Sequence, residues 1–343
     1  MVNRINATEF LNLRDNSTPV IDVRTPLEFN ESHIPGAINI PLFSDEERVI
    51  VGTAYKQENK ESALIKALDF TGPKLSSFIK SLNKVTQKRE VLVYCWRGGF
   101  RSQSMAWLFD LAGYKTSLLE GGYRAYRNHL KEYFENDQKI IILGGMTGSG
   151  KSEILPKLKR IGQQIIDLEG LANHKGSAFG AMGQDDQPTI KQFENLLGEK
   201  WRKLDQNKPV WLEDESASIG KVSIPKEIFI KMRNSFVVKI EREKRNRIER
   251  LVREYALFSK DELKTAIIKI TKKLGGLNTT LCLEAIDNSD YELVVDLSLI
   301  YYDRAYTKGI TKRDPSTVFS IFIKNNETEA EEIMEFFSSK NIQ

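Results

Sequence analysis

A glycine-rich loop near the middle of the chain constrains the fold more than any other feature of the sequence. Residues 145–152, GMTGSGKS, fit the P-loop pattern G-x4-G-K-S/T and follow a short apolar run at residues 140–143. Between a strand and a helix, the N–H groups of such a loop surround a polyphosphate, Lys151 reaches its terminal phosphates, and Ser152 is the candidate ligand for Mg²⁺. The motif predicts a parallel α/β sheet and a di- or triphosphate ligand. The residues predicted to bind that ligand are Gly145, Gly148, Gly150, Lys151 and Ser152.

Polar residues also follow two further strand-like runs, where the ligands of a doubly wound sheet bind. Residues 167–177, DLEGLANHKGS, follow one run, and residues 210–216, VWLEDES, contain an acidic cluster of the Walker B type. We expect four of these residues to lie near the P-loop ligand, namely Asp167, Glu169, His174 and Asp214. The alternatives are that His174 only makes hydrogen bonds within its own loop, and that the acidic cluster is only a solvated edge of the sheet. Which acid among residues 213–215 approaches the metal is left open at this point.

A second loop, CWRGGFRS at residues 95–102, follows another apolar run and opens a segment of helical character. A cysteine in this place faces a helix N-terminus and a ring of backbone N–H groups, which together with two arginines favour the thiolate. The spacing C-x5-R lets the loop wrap a tetrahedral oxyanion. We predict that Cys95 is a nucleophile with Arg97 and Arg101 as clamps, and not a small apolar packing residue. Cys282 has no such setting, and we expect it to be structural.

Strand-like and helix-like segments alternate along the chain, which is typical of mostly parallel α/β sheets. The length of 343 residues suits two domains, and 40% hydrophobic with 29% charged residues suits two ordinary globular cores. We predict an N-terminal domain at residues 1–130, a linker at 131–138, and a P-loop domain with a basic helical region at 139–343.

Positive charge is concentrated in one helical segment, although the net charge of the chain is only +4. Residues 239–254 read KIEREKRNRIERLVRE, and Arg245, Arg247 and Arg250 are the candidates for contacting the phosphates of a nucleic acid. A solvated helix face held by i,i+4 Glu–Arg pairs explains the same pattern equally well.

The cysteine, histidine and apolar patterns argue against several other classes of protein. Two cysteines and three histidines do not make a disulfide framework or a Cys- or His-rich zinc site. The first ten residues lack a basic start followed by an apolar run, and no stretch reaches the ~18 apolar residues of a membrane span. We therefore expect a cytoplasmic protein without a membrane partner.

Residues 21–42, IDVRTPLEFNESHIPGAINIPL, resemble the rhodanese signature, in which an Asp-x-Arg after a strand is followed by an HIPGA turn. The cysteine loop lies at the matching distance downstream. The resemblance implies that Asp22, Arg24 and His33 hold the framework of that fold and take no catalytic part. Single-domain rhodaneses typically place the arginine one residue closer to the cysteine than Arg101 is here. The longer loop suits a phosphate-like donor better than thiosulfate.

Three motifs together, CWRGGFRS, GGMTGSGKS and DLEGLANHKGSAFG, resemble those of the tRNA 2-selenouridine synthase family. FENLL, WLEDES and YYDRAY extend the likeness over residues 20–306. The resemblance implies a transferase that replaces sulfur by selenium at C2 of the wobble 2-thiouridine in tRNAs for Lys, Glu and Gln. Selenophosphate from a separate supplier is then the selenium donor, and geranyl diphosphate supplies the geranyl group of an S-geranyl intermediate.

On this interpretation the two loops serve different half-reactions. The thiolate of Cys95 takes up selenium while Arg97 and Arg101 hold the selenophosphate oxyanion. The P-loop holds the diphosphate leaving group, and the basic helices contact the tRNA backbone. Phe179 and Met182 are candidates for the wall of a groove for the geranyl chain.

Three other functions compete with this interpretation. A C-x5-R phosphatase fused to an ATP-dependent kinase-like domain accounts for both loops, but Tyr94 stands where tyrosine and dual-specificity phosphatases carry a histidine. A rhodanese-type sulfurtransferase needs no P-loop, and a non-catalytic binding module has no need of Cys95.

Overall fold

The computed structural model describes residues 2–323 and 327–340, so the outermost ends of the two predicted domains lie outside the described residues. The chain divides into two compact units, Met1–Tyr133 and Phe134–Gln343. Each unit is built around its own five-stranded sheet.

The N-terminal unit holds a parallel sheet in the order β1-β5-β4-β2-β3. The strands are β1 (Asn3–Ile5), β2 (Val20–Asp22), β3 (Ile38–Asn39), β4 (Glu90–Tyr94) and β5 (Lys115–Leu119). The helices are α1 (Ala7–Asp15), α2 (Pro26–Glu31), α3 (Asp45–Gln57), α4 (Lys60–Thr71), α5 (Leu75–Val85), α6 (Phe100–Leu111) and α7 (Gly122–Glu135). Helix α7 therefore runs into the segment predicted as a linker, residues 131–138.

Strand β4 is the central strand of this sheet, and its side chains alternate between two apolar cores. Val91, Val93 and Cys95 belong to one core, and Leu92 and Tyr94 belong to the other. The alternation brings Cys95 to the carboxyl end of a strand that is buried on both faces. In open α/β sheets this edge is where ligands bind.

Two short helices are fixed close to that edge. Both α2 and α3 begin with a capping box, in which a Thr or Ser side chain and a Glu three residues later satisfy each other's backbone N–H groups. The N–H group of Leu27 in α2 also donates a 3.1 Å hydrogen bond to the carboxylate of Asp45 in α3. The starts of the two helices are thereby held together beside the cysteine loop.

The C-terminal unit holds a second parallel sheet, in the order β12-β11-β6-β8-β7, and a small antiparallel hairpin of β9 and β10. The strands are β6 (Ile140–Gly145), β7 (Gln164–Ile165), β8 (Val210–Glu213), β9 (Ser218–Ile219), β10 (Val222–Ser223), β11 (Phe236–Glu241) and β12 (Val318–Phe322). The helices are α8 (Lys151–Arg160), α9 (Leu168–Ala172), α10 (Ile190–Trp201), α11 (Lys226–Asn234), α12 (Lys244–Tyr255), α13 (Lys260–Lys269), α14 (Thr271–Leu274), α15 (Gly276–Asp287), α16 (Tyr291–Ile310) and α17 (Glu329–Ser339).

Strand β6 is the centre of this sheet, and all of its residues are buried between β11 and β8. The P-loop follows β6 directly and leads into α8, which places it at the carboxyl edge of the sheet. The predicted fold class, a rhodanese-like α/β unit followed by a P-loop unit with a parallel sheet, is confirmed.

Helices α12 to α16 form a core of their own beside that sheet, built from residues such as Leu263, Ile267 and Val295. A basic helical region was predicted here, but a separately packed helical layer was not. No helix in the described part of the chain is both long enough and apolar enough to cross a membrane.

Candidate active sites

Cys95 lies between the end of β4 and the loop that opens α6. The residue is 3% exposed, and its sulfur accepts a 3.1 Å hydrogen bond from the hydroxyl of Ser102 in the first turn of α6. A hydroxyl donor and the positive end of a helix both stabilise a thiolate over a thiol. Both features agree with the prediction that Cys95 is a nucleophile, and its catalytic role stays a prediction.

The loop after Cys95 packs backbone to backbone against the start of α7. Gly98 and Gly122 both have positive φ angles, of +66° and +61°. A Cβ atom on Gly122 would lie 2.5 Å from the backbone nitrogen of Gly98 and 2.8 Å from that of Arg97. Any side chain at Gly122 would therefore displace the loop that surrounds the thiol.

The two arginines predicted as clamps have different surroundings. Arg101 forms an ion pair with Glu28 at the start of α2, with its second nitrogen 3.2 Å from the carboxylate. Although burial opposes ionisation, the hydrogen bond and charge of Arg101 lower the pKa of Glu28. Arg97 is exposed and makes no hydrogen bond or ion pair within the described part of the chain. The structure thus fixes Arg101 beside the loop and leaves Arg97 at the surface.

The residues assigned to the rhodanese framework make buried or stacked contacts. Arg24 forms a 2.6 Å ion pair with Asp22 and lies 4.2 Å from the ring centre of Tyr123. Burial disfavours its charge, but the hydrogen bond to Asp22 and its charge raise the pKa of Arg24 above its ordinary value. His33 stacks on Phe29 with ring centres 4.0 Å apart.

The P-loop has the backbone shape that surrounds an anion. Gly145, Gly148 and Gly150 have φ angles of +149°, +80° and +91°. The amino group of Lys151 donates a 2.8 Å hydrogen bond to the carbonyl of Gly145, so it lies across the loop. Loop N–H groups and this cation are the elements that hold a polyphosphate.

Two carboxylates meet the end of the P-loop. The hydroxyl of Ser152 donates a 2.7 Å hydrogen bond to Glu169. Gly176 allows a close approach here, since a Cβ atom on it would lie 2.9 Å from oxygens of both Glu169 and Glu215. Burial and the charge of Glu169 raise the pKa of Glu215 to about 8, and Lys151 partly opposes this effect.

Ser152, Glu169 and Glu215 suit Mg²⁺, because this ion prefers oxygen ligands and is usually bound by one or two carboxylates together with substrate phosphates. Among the described residues, no group of three or more His, Cys, Asp or Glu side chains is arranged to hold a metal ion. The phosphates of a bound ligand would therefore have to complete the coordination.

The acid predicted from the Walker B segment needs correcting. Asp214 accepts a 2.6 Å hydrogen bond from the guanidinium of Arg313, so its charge is already compensated. Glu213 is fully buried and accepts a hydrogen bond from the N–H group of Leu168, and burial raises its pKa well above the ordinary value. Of the three acids, Glu215 is the one whose carboxylate oxygens meet those of Glu169 beside Gly176.

Asp167 and His174 position the backbone around this cluster. Asp167 caps α9 by accepting a 2.6 Å hydrogen bond from the N–H group of Gly170. His174 is buried, and burial together with the charge of Lys269 lowers its pKa. Its Nδ1 atom accepts a hydrogen bond from the N–H group of Gly176, so the neutral ring carries its proton on Nε2 and fixes the glycine between the two carboxylates.

Two of the predicted nucleic-acid contacts lie on different sides of α12. Arg245 is exposed and pairs with Glu249 one turn later. Arg247 is buried and donates two hydrogen bonds, of 2.9 and 2.7 Å, to the carboxylate of Asp303 in α16. The prediction for Arg247 is therefore wrong, because its guanidinium connects two helices and does not face a solvent-side ligand.

Arg250 lies against the P-loop. A Cβ atom on Gly150 would lie 2.7 Å from its guanidinium, which also pairs with Glu153 at 2.5 Å. Arg250 was predicted to contact the phosphates of a nucleic acid, and the structure places it beside Gly150 and Glu153.

Two residues that support the P-loop, one in α16 and one between β11 and α12, were not predicted from the sequence. The N–H group of Gly145 donates a 2.8 Å hydrogen bond to the hydroxyl of Tyr306, and Arg242 donates one to the carbonyl of Ser149. Tyr306 belongs to the YYDRAY motif, which was the available signal. Phe179, considered for the geranyl groove, is instead a core residue 4.5 Å from the ring of Tyr255.

A cysteine loop on one parallel sheet and a P-loop on another define the class of protein, a rhodanese-like unit followed by a P-loop unit. Family models agree: a Rhodanese-like domain matches residues 6–129, and a tRNA 2-selenouridine synthase AAA domain matches residues 138–341. The chain belongs to the tRNA 2-selenouridine synthase family, as the sequence motifs predicted.

Relatives that carry the name tRNA 2-selenouridine synthase match almost end to end. The protein of Nitrosomonas europaea is 32% identical over 88% of this chain and 91% of its own. That of Nitrosomonas eutropha is 31% identical, covering 92% and 94% of the two chains. That of a Sulfurovum species is 36% identical and covers 86% of each chain.

Proposed function

We propose that the protein is a tRNA-modifying enzyme that replaces the sulfur of a wobble 2-thiouridine by selenium. The acceptors are tRNAs for Lys, Glu and Gln, the donor is selenophosphate made by a separate enzyme, and geranyl diphosphate activates the sulfur. The observation that supports this most is that one chain carries both loops and matches named synthases over 88% of its length. We place the reaction in the cytoplasm.

The first half-reaction belongs to the P-loop. The thiocarbonyl sulfur attacks C1 of geranyl diphosphate, and a C–S bond forms. The C–O bond to the diphosphate breaks with its electron pair on oxygen, and N3 of the base loses its proton to solvent. The loop N–H groups and Lys151 stabilise this developing charge. Ser152, Glu169 and Glu215 would hold Mg²⁺, which would supply further neutralisation of charge on the diphosphate.

The second half-reaction belongs to the cysteine loop. Geranylated tRNA, hydrogen selenophosphate and water give 2-selenouridine tRNA, geranyl thiol and phosphate, so atoms and electrons balance without an oxidant. The C2–S bond breaks and a C2–Se bond forms, because alkylated sulfur leaves far more readily than sulfide. Cys95 is the nucleophile that activates the donor.

Neither half-reaction consumes ATP, because selenophosphate and geranyl diphosphate both arrive activated. The P-loop is accordingly a diphosphate site for the prenyl donor. In the kinase-like alternative, turnover depends on ATP hydrolysis. The same assay tests this alternative when it is run with and without ATP.

The deciding experiment is mass spectrometry of nucleosides from 2-thiouridine tRNA incubated with the protein and each donor. Geranyl diphosphate alone should give S-geranyl-2-thiouridine, and adding selenophosphate should convert it to 2-selenouridine. Selenophosphate alone should give neither product. An unchanged base with both donors present, or a strict need for ATP, would contradict the proposal.

A further inference from the structure

Arg48 is a cation beside the cysteine loop that has no assigned role. It lies in α3 and is half-buried, and its guanidinium makes no hydrogen bond or ion pair within the described ranges. Its charge acts on Arg101, Glu28 and Cys95. The start of α3 is held next to α2 by the hydrogen bond from Leu27 to Asp45, so this neighbourhood is built by the fold.

The guanidinium of Arg48 lies over Gly52. A Cβ atom on Gly52, one turn further along α3, would lie 2.5 Å from Nη1 of Arg48. Glycine inside a helix lowers stability relative to alanine, so a purely structural reason for it is weak here. The glycine leaves room for the arginine side chain to lie along the helix face.

No carboxylate in the described part of the chain forms an ion pair with Arg48. Glu28 forms an ion pair with Arg101 and so neutralises that arginine. Burial and the like charge of Arg101 lower the pKa of Arg48, although the charges of Glu28 and Cys95 oppose this effect. A guanidinium is the side chain best shaped to bind two oxygens of a phosphate-type anion.

We propose that Arg48 binds the oxyanion of the selenium donor and that the donor thereby presents its phosphorus to Cys95. This inference rests on the proposed function. A tetrahedral anion whose oxygens are held by a loop around a thiolate has its central atom nearest to the sulfur. Cys95 then takes the phosphoryl group, and selenium is the leaving atom.

The steps balance for hydrogen selenophosphate. The thiolate attacks phosphorus, an S–P bond forms, and the P–Se bond breaks so that hydroselenide leaves with its electron pair. Hydroselenide attacks C2 of the geranylated uridine, and geranyl thiolate leaves and takes a proton from solvent. Water then hydrolyses the S–P bond, which releases phosphate and regenerates Cys95.

The cysteine content supports this route independently. Attack on selenium would release phosphite and leave selenium bound to sulfur, so a second thiol would be needed to free it. The chain contains only Cys95 and Cys282. Cys282 is packed in the helical core of the other unit, where burial raises its pKa to about 11. Attack on phosphorus is the route that needs no further thiol.

Thiophosphate is the probe that separates the two routes, because transfer of phosphorus and transfer of sulfur give different masses on Cys95. The full-length protein is mixed with thiophosphate, quenched rapidly, and the peptide that contains Cys95 is analysed by mass spectrometry. The variants are Arg48→Gln, the charge-conserving Arg48→Lys, and Lys56→Gln, which removes an exposed charge from the last turn of the same helix.

We expect a phosphoryl group on Cys95 in the wild-type protein and in Lys56→Gln. Arg48→Gln should need about 10- to 100-fold more thiophosphate for the same labelling, and Arg48→Lys should lie between the two. Thermal unfolding checks that each variant is folded. A loss of labelling that Arg48→Lys does not partly restore would count against the role of the charge.

A single sulfur atom on Cys95, no label on the wild-type protein, or equal labelling of Arg48→Gln and wild type would overturn the inference. The tRNA assay separates this from the proposed function. Formation of 2-selenouridine with a persulfide on Cys95 would keep the function and reject the inference, whereas a phosphoryl label without 2-selenouridine would reject the function.

Discussion

The hydroxyl of Ser152 donates a 2.7 Å hydrogen bond to Glu169, which joins the last residue of the P-loop to the start of α9. Ser152 follows β6, Glu169 follows β7 and Glu215 follows β8, and these three strands are neighbours in the order β6-β8-β7. The cluster therefore gathers one residue from each of three adjacent strand ends. Five predictions test what this edge, the cysteine loop and helix α12 do.

Replacing Lys151 by alanine should abolish geranylation, because it removes the cation that lies across the P-loop. Selenium should then enter only a tRNA that is supplied already geranylated. Nucleoside mass spectrometry measures both products, and Lys159→Ala, an exposed change in the same helix, is the control. A Lys151→Ala protein that still geranylates tRNA would remove the P-loop from the reaction.

Cys95→Ala should stop selenium incorporation while S-geranyl-2-thiouridine accumulates, since the two half-reactions use different loops. Cys282→Ala, which removes the other thiol from a packed core, should retain both products. The same nucleoside analysis reports the result. Loss of geranylation together with selenation in Cys95→Ala would show that the two steps are not separable.

The pKa of Glu215, raised from 4.5 to about 8, should make stability depend on pH. Between these values the folded protein binds more protons than the unfolded chain, so stability should fall as pH rises through this window. Glu215→Gln removes the titrating group and should flatten that part of the curve. Melting temperatures measured with a chelator present, from pH 5 to pH 9, test this, and equal slopes for both proteins would contradict it.

Arg247→Ala should destabilise the protein by about 1–3 kcal/mol, because it leaves the carboxylate of Asp303 without its two hydrogen bonds. Arg245→Ala, an exposed change two residues earlier, should alter stability by less than about 0.5 kcal/mol. Urea unfolding measures both. Equal losses of stability in the two variants would mean that the ion pair between Arg247 and Asp303 contributes nothing to the free energy of unfolding.

Arg245→Glu should weaken tRNA binding and lower the slope of log affinity against log salt by about 1, as expected for one lost phosphate contact. Lys221→Glu, an equal change of charge at an exposed position outside the helix, should leave the slope unchanged. Filter binding over a range of salt concentrations measures the slope for each variant. Identical slopes for Arg245→Glu and wild type would make this side of α12 a solvated helix face.

The loops that carry the chemistry could be predicted because their residues are neighbours in sequence. Cys95 and Ser102 lie within one loop and helix turn, and so do Gly145 and Lys151. The choice among the acids at the end of β8 could not be predicted in the same way. It depends on Arg313, which is 99 residues from Asp214.

The error at Arg247 has the same physical origin. A basic helix looks alike in sequence whether its arginines face solvent or an acid on another helix, and Asp303 is 56 residues away. Local spacing predicts which residues share a helix face. It does not predict which partner the tertiary fold brings to that face.

The buried strand β6 has a consequence for the cost of binding a ligand. Its backbone is paired on both sides and all of its residues are buried, so its amide hydrogens should exchange only when the whole unit opens. The first glycine of the P-loop, Gly145, is the last residue of this strand. The anion-binding loop thus begins in the slowest-exchanging part of its unit, and little of the affinity for a diphosphate is lost in ordering that end of the loop.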